Sequence, residues 1–212
     1  MAGFALLAAY LLTSGSRERV RRKTLAHFAA REGFHYSPRK RKDIQRVYPG
    51  FELFGQGRRC IGENFLTGSR GNCGVTAFDF SFQTGAGHSV EQYHCAVIIL
   101  ESPFPLRTLN MRPENAWDTL SSVFGSDDID FESEEFSHRF HISSPDRHWA
   151  GKVLNPHTIE FLLKCGDLTL HMHDRWLMIP VNGRLEPQTI LWAISTGTTV
   201  LEGIPEDARM AA

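Results

Sequence analysis

The sequence predicts an α+β fold: an antiparallel β-sheet meander packed with several helices, preceded by an N-terminal membrane-associated helix. Three observations carry this. An uncharged apolar tip, Gly3 to Leu12, runs into a basic cluster of Arg17, Arg19, Arg21, Arg22 and Lys23. Between Phe54 and Leu100 apolar and polar residues alternate with the period of strands. Beyond it, Pro113, Asn155-Pro156 and Pro187 each open a segment with helical spacing.

The tip is short. A spanning helix needs about 20 residues, and this run ends before Ser14-Gly15-Ser16. No basic stretch precedes it and no clear small-residue cleavage site follows, which disfavours a cleaved secretory signal. It reads as the end of a spanning helix that starts further upstream, or as a helix extended by Thr13 to Gly15 in a thinned bilayer. It also reads as a segment inserted part-way, or seated in a groove of a partner subunit. The plain alternative is a helix packed on the protein's own core. The anchor candidates are Phe4, Leu6, Leu7, Tyr10, Leu11 and Leu12. Arg17, Arg19, Arg21, Arg22 and Lys23 are the candidates for lipid head-group or partner contact. Positive charge after the apolar stretch puts the body on the cytoplasmic side of the inner membrane.

Ser16 to Glu32 has Val20, Thr24, Leu25, Phe28 and Ala29 on one stripe, with Ser16 as N-cap and Gly33 as stop. Phe34 to Lys42 is expected to be a basic linker. Arg59 to Thr67 begins the meander, Ser69 to Asn72 turns it, and Val75 to Gln83 puts Phe78, Phe80 and Phe82 on one face opposite Ala77, Asp79 and Ser81. Val90 to Leu100 ends in an apolar run suited to a central strand. Pro103 and Pro105 are expected to break the chain before a short edge strand, Leu106 to Met111. A helix follows from Pro113 to Val123, then extended chain from Asp130 to Ile142 and a short helix near Trp149 to Leu154. Asn155 caps a helix running through Lys164. Asp167 to Val181 reads as a hairpin turning at His173-Asp174-Arg175. The last helix opens at Pro187, weakened past Gly197 by β-branched residues. The organisation is 1–15 anchor, 16–46 basic juxtamembrane helix and linker, 47–204 α+β domain, and 205–212 frayed tail.

Composition sets limits on function. With 42% hydrophobic and 22% charged residues, wholesale disorder is excluded. Net charge is −1, yet residues 17–46 hold eleven Lys or Arg against three acids. An acidic run from Asp127 to Glu135 offsets part of this, so the front of the molecule suits an anionic surface and the body does not. Cys60, Cys73, Cys95 and Cys165 include no CxxC, which removes the usual zinc and redox signatures. Cys60 and Cys73 could pair across a hairpin, although a cytoplasmic body keeps thiols reduced.

His171-x-His173 on one strand and His138-x-x-His141 in the preceding segment form the sharpest chemical pattern, a possible zinc group for a metal-dependent enzyme. The bland reading places them on a solvent face of the sheet. No nucleophile elbow and no phosphate-binding loop occur. Nucleic acid is not an expected partner: the basic residues adjoin an apolar tip and lack interleaved stacking aromatics. No cofactor and no small-molecule substrate is identified.

The segment Phe131 to Ile142, with Asp146, Ala150 and Leu154-Asn-Pro156, resembles a family of uncharacterised bacterial proteins, as does Phe78-Asp-Phe-Ser-Phe82 with its Thr-Gly turn. The resemblance implies a membrane-anchored protein with one cytoplasmic α+β domain and supplies no catalytic residues. The expected function is therefore a non-enzymatic accessory or scaffold subunit docking on a larger membrane protein complex: respiratory, transport or photosynthetic. The alternatives are the histidine-based metal enzyme and a module binding anionic lipid.

Overall fold

Strand β4, Glu91–Pro113, is the spine of the computed structural model, which describes residues 2–86, 89–114, 129, 131 and 133–210, with helix α1 side chains from Ser16 onward. Around it lie β1 His35–Ser37, β2 Arg58–Arg70, β3 Cys73–Thr84, β5 Phe140–Ser143 and β6 Leu170–Asn182, in one antiparallel sheet ordered β1-β2-β3-β4-β5 with β6 also paired to β4. The fold is mixed α+β, and β2, β3 and the first part of β4 form the expected meander. The helices are α1 Ala2–Glu32, α2 Ile44–Val47, α3 Glu134–Arg139, α4 Arg147–Val153, α5 Pro156–Lys164, α6 Pro187–Glu202 and α7 Glu206–Arg209, with a 3-10 turn at Glu52–Gly55.

The alternation in β3 sorts side chains as its period requires. Phe78, Phe80 and Phe82 join one core with Ile44, Phe51, Leu53, Phe54, Phe65, Val97, Ile99 and Met178. Ala77 faces the other core, where α1, α4, α5 and α6 pack with Ile98 and Leu100. Each fully buried Phe contributes about 1.5–3 kcal/mol relative to an exposed ring. Rings on the aromatic face also meet edge to face: Phe54 and Phe80 have centroids 5.1 Å apart at 78°.

Several expectations are corrected. Pro103 and Pro105 do not end β4. The ladder to β6 shifts register between Glu101 and Leu106, and this irregularity absorbs two residues that have no N–H to donate. Leu106 to Met111 is no edge strand, because β5 pairs Met111 on one side and β6 on the other. The expected hairpin at His173 to Arg175 is one continuous strand, β6. Asp174 takes a positive φ of 57° inside it, opposite Leu106 at the same irregularity. Part of the segment expected to be extended, Asp130 to Ile142, is helical: the Ser133 side chain caps α3 by accepting from the Phe136 amide at 3.3 Å. The linker is also structured, with β1 on the sheet edge and Arg41 bridging Gly62. The tail expected to fray carries α7, and the Trp149 indole donates to the Ala208 carbonyl at 3.1 Å. The helix expected over 113–123 falls largely outside the described residues.

Gly197 was expected to weaken α6. Instead it lets α6 lie close on the sheet, since a Cβ there would sit 2.5 Å from Leu100 Cδ1. Asn155 caps α5 as expected, accepting from the Thr158 amide at 3.1 Å. Gly33, at φ 78°, stops α1 as expected, and the Phe34 amide reaches back to the Ala29 carbonyl at 2.7 Å.

Candidate functional site

Helix α1 is where the charge and hydropathy asymmetry of the sequence becomes structure. It runs unbroken through Ser14-Gly15-Ser16, so Ser16 is no N-cap. No helix among the described residues is long and apolar enough to cross a membrane. The anchor candidates Phe4, Leu6, Leu7, Tyr10, Leu11 and Leu12 lie on its first turns, and their side chains fall outside the described residues.

The basic half of α1 belongs to the globule. Leu25, Phe28 and Ala29 are buried in the helix-side core, and Ile44 in the aromatic core, so the unit expected over 16–46 is part of the body. A polar clamp completes the joint. Arg21 Nη2 donates to Asp79 Oδ2 at 2.9 Å, and Arg21 Nη1 donates to the Leu185 carbonyl at 3.3 Å. Asp79 is itself buried on β3. Its other contacts come from Asn64 Nδ2 at 2.8 Å and the Leu185 amide at 2.7 Å. Tyr36 donates to Asn64 Oδ1 at 2.8 Å. Asn64 is fully buried with φ 56°, at the register shift of β2 that turns its amide toward Asp79. One carboxylate thus joins α1, β2, β3 and the segment leading into α6.

Glu18 supports the same joint, accepting from Arg21, Arg22 and Arg184 at 3.0, 3.0 and 3.1 Å. Burial opposes its charge, but the hydrogen bonds and charge of Arg21, with help from Arg22 and Arg184, outweigh it and hold the carboxyl below its ordinary value. Burial likewise works against the Arg21 cation, and its bonds to Glu18 and Asp79 more than restore it. Of the five basic residues singled out in the sequence, Arg21 and Arg22 are therefore engaged within the protein. Arg17, Arg19 and Lys23 are exposed and form no ion pair among the described residues.

Between α1 and the start of α6 runs an open groove of about 370 Å³, lined by Lys23, Thr24, His27, Phe28, Arg31 and Pro187. Arg31 also pairs with Glu32 at 3.0 Å.

The histidines do not form a metal centre. His138 is exposed on α3, and His141 lies on β5 with Nδ1 4.0 Å from Glu114 Oε1. His171 Nδ1 bonds Asn110 Oδ1 at 3.0 Å, while His173 Nδ1 lies 3.1 Å from Thr108 Oγ1. No group of three His, Cys, Asp or Glu side chains among the described residues could hold a metal ion. The separation follows from the corrected topology: β5 and β6 lie on opposite sides of β4. Nor is His171 on a solvent face. The 50–56 segment covers it, and burial lowers its pKa to about 4, so the ring is neutral. It lines a cavity of about 60 Å³ with Phe51, Leu53, Gln56, Asn110 and Met178, space for a water molecule or two and far below an ordinary substrate pocket. Burial also pushes the Cys95 thiol up to about 12, which leaves it inert at neutral pH.

No protein-family model matches the chain, and no curated protein matches it. Among solved structures it is similar to the crystal structure of the mycobacterial trehalose monomycolate transport factor A, TtfA. The identity is 12% over 88% of this chain and 97% of that one, with a TM-score of 0.59. At that identity the likeness is one of fold.

Sequence reasoning missed Asp79, Asn64 and the α1–α6 groove. The sequence carries one signal for Asp79, an acid that alternates with phenylalanines on a strand next to the apolar run of a central one.

Proposed function

We propose that the protein is a non-enzymatic accessory or scaffold subunit held at the inner face of the cytoplasmic membrane, where it docks on a larger membrane protein complex. The observation that carries this reading is the joint between α1 and the sheet. The apolar tip and the clamped basic half belong to one continuous helix, so whatever holds the tip also orients the globule. A flexible linker would tether without orienting. The apolar tip seats in the bilayer or on a partner subunit. The basic residues that follow it favour the cytoplasmic side. Because the solved structure of like fold is named a transport factor, a transport assembly is preferred over a respiratory or photosynthetic one.

Removal of residues 2–12 tests the tether while sparing Glu18 and Arg21. The expected result is release of a folded protein into the soluble fraction and loss of any membrane complex that co-purifies in mild detergent. Continued sedimentation with membranes overturns the tether.

A further inference from the structure

We propose that the face shared by α1 and the start of α6 lies flat against an anionic phospholipid surface. This deepens the tether reading and rests on it, adding an orientation and a lipid class.

Three features meet on this face. First, Val20, Lys23, Thr24, His27 and Arg31 recur at three- and four-residue spacing and form one outward stripe of α1. Lys23, His27 and Arg31 line the groove against Pro187. Second, Leu191 lies one turn beyond Pro187 on α6, with Trp192 beside it. The five exposed large hydrophobic residues among those described are Val20, Val90, Leu191, Trp192 and Met210; three of the five belong to these two helices. A tryptophan and aliphatic side chains set among cations suit the interfacial layer of a bilayer. Third, the charge is one-sided. Lys23 has no ion-pair partner among the described residues, and the exposed positions in the first half of α6, Gln188, Leu191, Trp192 and Ser195, carry no acid, Glu202 being exposed only at the far end of the helix. The carboxylates close in sequence are Glu186, exposed just before α6, Glu18, which already serves Arg21, Arg22 and Arg184, and Glu32, which already serves Arg31 and Arg70. The complement of such a face is anionic. Its apolar residues stand on convex helices rather than around a pocket, which suits lipid, a partner that conforms.

Helix geometry fixes the orientation. At about 1.5 Å per residue, Lys23 and Arg31 lie roughly 17 and 28 Å along α1 from Leu12. An upright helix would lift them clear of a head-group layer only about 5–8 Å deep. They reach phosphates only if α1 lies along the surface. Through Arg21 and Asp79 the sheet then takes a fixed tilt as well.

The test uses the full chain with vesicles of phosphatidylcholine, with and without phosphatidylglycerol. The protein is expected to bind the anionic vesicles with an affinity that falls steeply with salt. Lys23→Gln combined with Arg31→Gln is expected to weaken binding about thirtyfold, at about 1 kcal/mol per cation near the surface. Quenching by brominated lipid is expected in the wild type and to be largely lost in Trp192→Phe. Far-UV circular dichroism confirms that each variant is folded. If the double variant binds like the wild type, or Trp192→Phe is quenched to the same extent, the flat-face proposal fails. A Leu7→Glu, Leu11→Glu variant separates this from the tether. Release by the tip variant alone keeps the tether and sinks the face; release by the groove variant alone does the reverse.

Discussion

On one face of the sheet, α1, α4, α5 and α6 pack a mostly aliphatic core in which Phe28, Phe34, Phe136, Phe140 and Trp149 are the buried aromatics. On the other, residues 44–56 alone supply Ile44, Phe51, Leu53 and Phe54 to meet Phe65, Phe78, Phe80 and Phe82. A single turn of α-helix and a 3-10 turn thus do the covering that four longer helices do opposite. The difference is in the density of rings: aromatics are more than half of the buried residues on the second face and a small minority on the first, and each buries about 150–250 Å². The two faces also handle polar groups differently. The helix side holds a charged pair, Arg21 and Asp79, while the aromatic side holds the neutral His171 beside a small cavity. Stability should therefore depend on ring packing on one face and on charge satisfaction on the other.

The largest expected effect tests the aromatic face. Phe54 is 1% exposed and touches Tyr48, Phe51, Phe78 and Phe80. Phe54→Ala should cost about 4 kcal/mol in denaturant unfolding, and much more than Phe131→Ala, whose ring is only partly buried. A cost below about 1 kcal/mol would mean that the 44–56 cover contributes little.

On the helix side, Asp79→Ala should cost about 3 kcal/mol, because it leaves Arg21, Asn64 and the Leu185 amide without their acceptor. Replacing both charges, with Arg21→Met and Asp79→Leu together, should cost less than the single change. An additive double mutant would show that the pair is not coupled.

Acid separates the faces at somewhat smaller magnitude. His171 has a folded pKa of about 4, below the ordinary 6.5, so the unfolded chain takes up a proton first as pH falls. Its contribution is complete above pH 6.5, declines as pH drops toward 4 and is lost below that, a change of about 2–3 kcal/mol. Unfolding midpoints measured across that window should fall less steeply in His171→Gln. An unchanged slope would remove His171 from the account.

These contrasts explain what could be read in advance. Local signals carried β2, β3, the apolar run of β4, the Gly33 stop and the Asn155 cap, because each depends on neighbours within a few residues. Pro103, Pro105 and Asp174 misled for a shared reason. Each is a breaker in isolation, but all three fall where β4 and β6 are out of register together, and that depends on residues far apart in the chain. The Arg21–Asp79 joint spans 58 positions and has no local signature beyond the acid itself. Ser133 was legible and overlooked: a serine followed by two glutamates is an N-terminal helix signal, yet the phenylalanines at 131, 136 and 140 drew the segment toward strand. Of the candidate site, the cations of α1 were legible as a cluster. Which of them turn inward was not, since that is decided by the acids they meet.

The long strand β4 also has a consequence for synthesis on the ribosome. Its apolar run from Ala96 to Leu100 pairs on one side with β6, whose partner residues leave the exit tunnel roughly eighty residues later, a delay of about 4–16 seconds at ordinary translation rates. Through that interval a greasy, unpaired backbone edge is open to neighbouring nascent chains, and shielding by a chaperone would matter most there.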